Sequence, residues 1–278
     1  MSIKSNQSQY NQETIERAAQ AVSEATAFLF TAGAGMGVDS GLPDFRGDKG
    51  FWKAYPSLYG HSFSDMANPA WFDSDPRLAW GFYGHRLNLY RSVVPHEGFS
   101  ILKNWAQDRP HFIFTSNVDG QFQKAGFSEE SIHECHGSIH WLQHLNPNIK
   151  GHEIWSAEEV EVEVDEKELR VVGDIPMRGD KVIRPNILMF GDWHWLDGRS
   201  AEQDENFSQW LDNTDTSKLV IIEAGAGTSI PSVRNFSSRM KRGCDGTLIR
   251  INPRESMGGD IQFDCGAQEA LEAIEALL

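Results

Sequence analysis

Four short apolar runs limit what this chain can fold into. Ala27-Phe28-Leu29-Phe30, His111-Phe112-Ile113-Phe114, Leu219-Val220-Ile221-Ile222 and Thr247-Leu248-Ile249-Arg250-Ile251 each read as one strand. Ser131 to Glu134 is a further strand candidate. Between them, 77–91 and 97–107 carry helical periodicity, and helices are expected near 231–241 and 267–277. Strands separated by helices imply an α/β fold, a parallel sheet covered on both faces. The ligand site of such a sheet lies beyond the carboxyl ends of its strands. The first twenty residues are polar and are expected to form a loosely held helix.

One stretch breaks this rhythm. Between about 140 and 183, Val160, Val162 and Val164 alternate with Glu161, Glu163 and Asp165, and Leu169-Arg170-Val171-Val172-Gly173 follows. A two-residue period on each side of a charged turn predicts a hairpin in a small inserted module. Its acidic residues read as a solvated strand face. The expected division is a polar extension over 1–20, a large domain from 21–139 and 184–278, and the module at 140–183.

With 25 Lys and Arg against 40 Asp and Glu, the formal net charge is −15. That balance argues against a general nucleic-acid binder, which must neutralise phosphates with clustered cations. No apolar run reaches the roughly 20 residues that span a bilayer, and the N-terminus lacks the apolar stretch of a secretory signal. Cys135, Cys244 and Cys265 are the only three cysteines. Odd in number and widely spaced, they suggest no disulfide framework and supply no C-x-x-C pair for zinc. An acidic, soluble, cytoplasmic protein is expected, with no membrane partner and an oligomeric state that the sequence leaves open.

Gly33-Ala34-Gly35 follows the first strand. Glycines at such a point let backbone N–H groups approach a pyrophosphate, since a Cβ would hold the ligand away. By itself the fragment is equally a tight turn, and the third glycine of the dinucleotide fingerprint is missing, with Val38 in its place. Its continuation through Met36-Gly37-Val38-Asp39-Ser40-Gly41-Leu42-Pro43-Asp44-Phe45-Arg46-Gly47 closely resembles the opening motif of the sirtuins, NAD-dependent protein deacylases. Further segments fall in the order of that family: Thr115-Ser116-Asn117-Val118-Asp119-Gly120, Glu134-Cys135-His136-Gly137, Arg184-Pro185-Asn186-Ile187-Leu188-Met189-Phe190-Gly191, Gly227-Thr228-Ser229 and Ile251-Asn252-Pro253. Together they cover about 21 to 277.

The resemblance implies a Rossmann-like NAD domain with a small module, the substrate lying between them. It implies NAD as co-substrate and an acylated lysine on a protein or peptide as partner. The acyl oxygen attacks C1′ of the nicotinamide ribose, nicotinamide leaves, and a base then activates a ribose hydroxyl toward the acyl carbon. His136 is the candidate base, since imidazole titrates near working pH. Asn117 and Asp119 are implied for the nicotinamide carboxamide, Phe45 for the reactive ribose face and Arg46 for the pyrophosphate. Gly33, Ala34, Gly35, Asp44 and Ser116 belong to the same cofactor set. Gly227, Thr228, Ser229 and Asn252 serve the adenosine side, with Ala267 near the adenine. Taken singly, Asn117, Asp119, Thr228 and Ser229 read equally well as helix caps.

The chain also departs from the family. Gly37 stands where serine is usual, and Ser116 where glutamine is, so a preorganising side chain is lost at each position. Sirtuins commonly bind a structural zinc through four cysteines. Here His144 stands near the first of them, nothing from 145 to 183 is cysteine, and no zinc is expected. A rival metal site draws on His133, His136, His140, His144 and His152; the first four would align on a helix face. Tyr83 and Arg86 resemble the Tyr-x-x-Arg feature of sirtuins that remove acidic acyl groups. Three residues apart, they share a helix face, and arginine grips a carboxylate bidentately; otherwise the tyrosine packs and the arginine faces solvent. Two rivals to deacylation remain, namely ADP-ribosyl transfer or NAD hydrolysis, and a catalytically idle sensor of NAD or ADP-ribose.

Overall fold

The computed structural model describes residues 11–44, 47–146 and 153–278. Its strands are β1 (Ala27–Ala32), β2 (His111–Thr115), β3 (Ile132–Glu134), β4 (Gly137–His144), β5 (Ile154–Ser156), β6 (Val164–Asp165), β7 (Arg170–Val171), β8 (Met177–Arg178), β9 (Lys181–Ile187), β10 (Leu219–Ala224), β11 (Thr247–Ile251) and β12 (Ile261–Phe263). Six of them form one sheet in the order β12-β11-β10-β1-β2-β3, every neighbouring pair parallel. From β1 the chain winds outward to β2 and β3, then returns to β10 and winds the other way. This is the doubly wound order, with its crevice between β1 and β10.

Successive residues of a strand face opposite sides of its sheet, and the cores follow that alternation. Phe28 and Phe30 of β1, with Ile113, Val220, Ile222, Ile249 and Ile251, pack beneath the helices Gln12–Glu24, Glu97–Ala106 and Ala267–Glu275. Ala27 and Leu29, with Phe112, Phe114, Ile221 and Leu248, pack against Phe207 of the helix Gly198–Asp212 and against Val233, Phe236 and Met240 of the helix Ser232–Cys244. The strands are apolar throughout because both faces are covered.

The N-terminal helix differs from its expectation. It runs Gln12–Glu24, past the boundary at residue 20, and buries Ala18, Ala19 and Val22 in the sheet's core. Their spacing puts the three on one helical stripe. Asn11 caps the helix by accepting from the Thr14 N–H at 2.8 Å.

A second core fills the other unit. β5-β4-β9-β8 form an antiparallel sheet, and β6 pairs with β7. The hairpin is shorter than the alternation predicts, because the backbone of its first arm is engaged elsewhere. Asn88 donates to the Val162 carbonyl at 2.8 Å, and Arg91 to the carbonyls of Val160 and Ala157, each at 2.6 Å. Val162 itself is buried, and Glu161, Glu163 and Asp165 are exposed. The helix Pro76–Ser92 supplies Asn88 and Arg91 and presses its glycines onto this arm: a Cβ at Gly84 would lie 2.5 Å from Val162, and one at Gly81 1.9 Å from the Leu169 carbonyl.

The module therefore does not have a core to itself. Trp80, Phe82, Tyr83 and Leu87 of that helix share one with Leu142, Val162, Leu169 and Ile183. The boundaries at 139 and 184 divide this core, because its helical half comes from an insertion far earlier in the sequence. At the far end of the module, the Trp155 ring packs at a tilt against His144 at 5.1 Å and under the Arg178 guanidinium at 4.2 Å, and Arg178 pairs with Glu153 at 3.1 Å.

Candidate functional site at the strand ends

The carboxyl ends of β1, β2, β3 and β10 open into one cleft of about 740 Å³, whose other wall is the second unit. Gly33, Ala34, Gly35, Asp44, Ser116, Asn117, Asp119, His136, Gly227 and Ser229 line it, and Tyr83 and Arg86 reach it from the helix Pro76–Ser92. Thr228 lies on the exposed rim, its hydroxyl donating to Glu255 at 2.5 Å. Asn252 is fully buried and works on the loop itself. Its amide donates to the Ala226 carbonyl at 2.8 Å, and its oxygen accepts from the N–H groups of Arg254 and Glu255. Ala267 is in the sheet's core. Phe45 and Arg46 lie outside the described residues, as does His152 of the metal rival.

The glycines bring two backbone loops together. The N–H groups of Gly33 and Gly35 donate to the carbonyls of Ala224 and Gly225, each at 3.0 Å. A Cβ on either would lie 2.7 Å from the backbone of Ala226 or Gly225. What they permit is the close contact of two backbone loops across the crevice, and those two donors are already engaged. Ala34 then begins a 3-10 turn that ends at Gly41, whose φ is +90°.

Asn117 ties two strand ends together: its backbone N–H donates to the Thr115 hydroxyl and its side-chain amide to the Gly33 carbonyl, both at 3.0 Å. Asp119 accepts from the Gln121 N–H at 2.9 Å. Burial pushes its pKa up to about 6, and the nearby charge of Glu134 adds to that rise. His136 follows β3, and its Nε2 meets the Ser232 hydroxyl at 3.3 Å. Burial lowers its pKa more than a hydrogen bond with the Ser116 backbone raises it, so the ring is neutral at pH 7. Gly137, at φ +74°, lets the chain turn into β4 directly against the Asn186 carbonyl.

The four described histidines of the rival metal site do not converge. Residues 132–134 and 137–144 are strands, so the helical alignment does not arise. His133 meets Ser200, His136 meets Ser232, His140 meets the Asp119 carbonyl and His144 packs against Trp155. Among the described residues no three His, Cys, Asp or Glu side chains form a group that could hold a metal. None of the described helices is long and apolar enough to cross a membrane.

Tyr83 and Arg86 are 1% and 5% exposed, so the alternative with the arginine in solvent does not hold. The guanidinium lies 5.3–5.5 Å from the rings of Phe82, Tyr83 and Tyr90, and its Nε donates to the Tyr90 hydroxyl at 3.0 Å. The Tyr83 hydroxyl is buried with no hydrogen-bond partner among the described residues. A buried hydroxyl in that state costs free energy until something fills its partner's place. Tyr90, Phe63, Arg254 and Glu255 also line the cleft, and sequence reasoning missed them. Arg254 and Glu255 directly follow Asn252, a usable signal. Ser232 is 96 residues from His136 and carried none. Glu223 and Arg250 form a buried ion pair at 2.5 Å behind the cleft. Each is the lone charge in an apolar strand, and the register sets them side by side.

One consequence is measurable on the free protein. The folded-state pKa of Asp119 is raised, so its ionised form weakens the fold at neutral pH, and the penalty disappears below its ordinary value. Asp119→Asn keeps an acceptor for Gln121 and removes the charge. Thermal unfolding at pH 7.5 is expected to show the variant more stable by about 2 kcal/mol, discounted for the open cleft mouth. The difference should vanish below about pH 4. A variant no more stable than the parent at pH 7.5 would contradict the raised pKa.

A doubly wound sheet with a polar crevice at its switch point, closed by a second unit and holding a neutral histidine, defines an α/β protein with its ligand site at the strand ends. A model of the Sir2 family matches residues 33–230. The NAD-dependent protein deacylase of Aquifex aeolicus is 30% identical over 229 residues, 81% of this chain and 82% of that protein. The NAD-dependent protein deacetylase of Saccharolobus solfataricus is 28% identical over 242 residues, 86% and 85% of the two chains. Among solved structures, a complex of a Sir2 homolog with NAD has a TM-score of 0.71 at 20% identity, covering 94% of this chain and 93% of that one. The chain belongs to the Sir2 family.

Proposed function

We propose that this chain is an NAD-dependent protein-lysine deacylase that releases nicotinamide and acyl-ADP-ribose and prefers acidic acyl groups. The observation that carries the reading is the convergence, in one cleft, of His136, Asn117 and Asp119 from separate strand ends with Tyr83 and Arg86 from the opposite wall. NAD, when bound, supplies the ribosyl carbon that the acyl oxygen attacks and the nicotinamide that departs. The cleft has polar groups for it: Asp44, Ser116, Asn117, Asp119, Ser229, Arg254 and Glu255.

His136, uncharged at pH 7, takes the proton from the ribose hydroxyl that attacks the acyl carbon, and Ser232 holds its ring. Asp119 and Asn117 hold the carboxamide, which needs an acceptor and a donor. Gly37 is buried, and a Cβ there would meet the Leu42 side chain at 3.1 Å.

Arg86 and Tyr83 receive the carboxylate of a succinyl- or malonyl-type group. The partnerless Tyr83 hydroxyl gains an acceptor, and a buried guanidinium among aromatic rings pairs strongly with a charge that enters without water. Tyr90 fixes the guanidinium through its Nε.

Incubation with NAD and acetyl-, succinyl- or unmodified peptide, followed by mass spectrometry, tests the reading. Nicotinamide release that requires acyl peptide and yields acyl-ADP-ribose supports it. Release without acyl peptide, giving free or protein-bound ADP-ribose, replaces it with hydrolysis or transfer. NAD binding with no release leaves a sensor. Arg86→Met is expected to lower kcat/KM for succinyl peptide by about 100-fold, the value of a buried charge-assisted pair, and to change acetyl peptide little. Equal losses on the two would remove the acidic-acyl preference.

A further inference from the structure

Trp193 is 92% exposed, more than any other large apolar side chain among the described residues. The indole therefore contributes almost nothing to the packing of its own chain. Its backbone, in contrast, is held firmly. Asp192 and Arg184 form a bidentate ion pair at 2.7 and 2.9 Å with neither side chain exposed. The same carboxylate accepts from the N–H groups of Met189 and His194 at 3.4 and 3.1 Å. Gln143 donates to the His194 carbonyl at 2.8 Å, and Gly191 makes the turn at φ +68°. A fully buried ion pair is costly in desolvation and is best justified by the conformation it specifies. Here it specifies a rigid turn with a tryptophan at its tip.

The same turn is a wall of the cleft. Met189 and Phe190 line it, and the Phe190 N–H donates to the Ala67 carbonyl at 2.8 Å. A rigid, amphipathic ring displayed beside a binding cleft loses little entropy when a partner covers it, which is how anchoring residues of interfaces work. We infer that Trp193 contacts the polypeptide carrying the acylated lysine, its indole receiving a basic side chain that flanks that lysine. The inference rests on the deacylase reading. Continuity with the cleft wall selects the incoming polypeptide as occupant. Charge selects its chemistry: the protein carries −15, and exposed Asp65 stands on the short helix whose Phe63 packs on Phe190. An indole face attracts cations.

The test uses three substrates with one acyl-lysine: flanked by arginines, flanked by glycines, and as the single blocked amino acid. Trp193→Ala is expected to raise KM for the arginine-flanked peptide about fivefold at unchanged kcat, the size of an exposed cation–π contact. Trp193→Phe should keep most of the affinity, and the single amino acid should be unaffected. Equal effects on all three substrates, or on none, overturn the inference. If the parent protein turns over none of them, the deacylase reading fails. Binding of the fluorescently labelled arginine-flanked peptide to the parent and to Trp193→Ala then decides the contact by the same fivefold margin.

Discussion

His136→Ala is expected to lower the formation of deacylated peptide by a factor of about 10²–10⁴, the usual contribution of a positioned general base. Folding should be little disturbed, because the ring's side-chain partner is Ser232, at the edge of the cleft. NAD affinity should also persist, since Asn117, Asp119 and the loops of β1 and β10 are untouched. Calorimetric titration with NAD, beside product analysis by mass spectrometry, separates the two effects. The pH profile of the parent adds a second reading. In the proposed reaction His136 acts when neutral, with a pKa below the ordinary 6.5, and Asp119 acts when ionised, with a pKa of about 6. Activity should therefore fall on acidification through about pH 6, more steeply than one group allows. A histidine variant with undiminished turnover would assign the proton transfer elsewhere.

Gly225→Ala is expected to be the most damaging single methyl group in the cleft. Gly225 sits at φ +67°, where an L side chain is strained, and its Cβ would lie 2.2 Å from the Met36 nitrogen and 2.3 Å from the Gly35 carbonyl carbon. Both neighbours are backbone, so no rotamer change relieves the overlap. Strain and overpacking together should cost at least about 3 kcal/mol. Gly227→Ala, two residues on, is the control. Its Cβ meets only the Glu255 carboxylate, at 3.5 Å, and should be nearly neutral. Urea unfolding of the pair decides the matter. Similar stabilities would mean that the loops of β1 and β10 do not approach as described.

The strand ends were legible because each apolar run stops at a polar or glycine motif, and a parallel sheet gathers those stops on one edge. Ser116 through Asp119 and His136 came into the cleft for that reason. Thr228, Asn252 and Ala267 were read from the same kind of pattern, yet they sit on the rim, in the loop's frame and in the core. A motif names a segment. It does not say which way each side chain points.

The module was legible in part. Alternation around Val160–Val164 identified a solvated acidic face correctly, but the pairing was cut short by Asn88 and Arg91, which arrive from a helix some seventy residues earlier. Nothing local announces such a competitor. Tyr83 and Arg86 show the same limit from the other side: their spacing put them on one helical face, and only the packing of Phe63, Phe82 and Tyr90 turned that face inward.

By itself the sequence determined the α/β class, the edge at which a ligand must sit, the absence of cysteine pairs from 140 to 183, and the family. These follow from periodicity and from residue types in order, which the chain carries locally. The tertiary structure alone decided that the glycines serve loop-to-loop contact, that Ser232 holds His136, that Asp119 is strained toward neutrality, and that Trp193 stands in solvent on a buried ion pair. Each of these depends on groups meeting at low dielectric and short range, where burial and partner geometry set the energy.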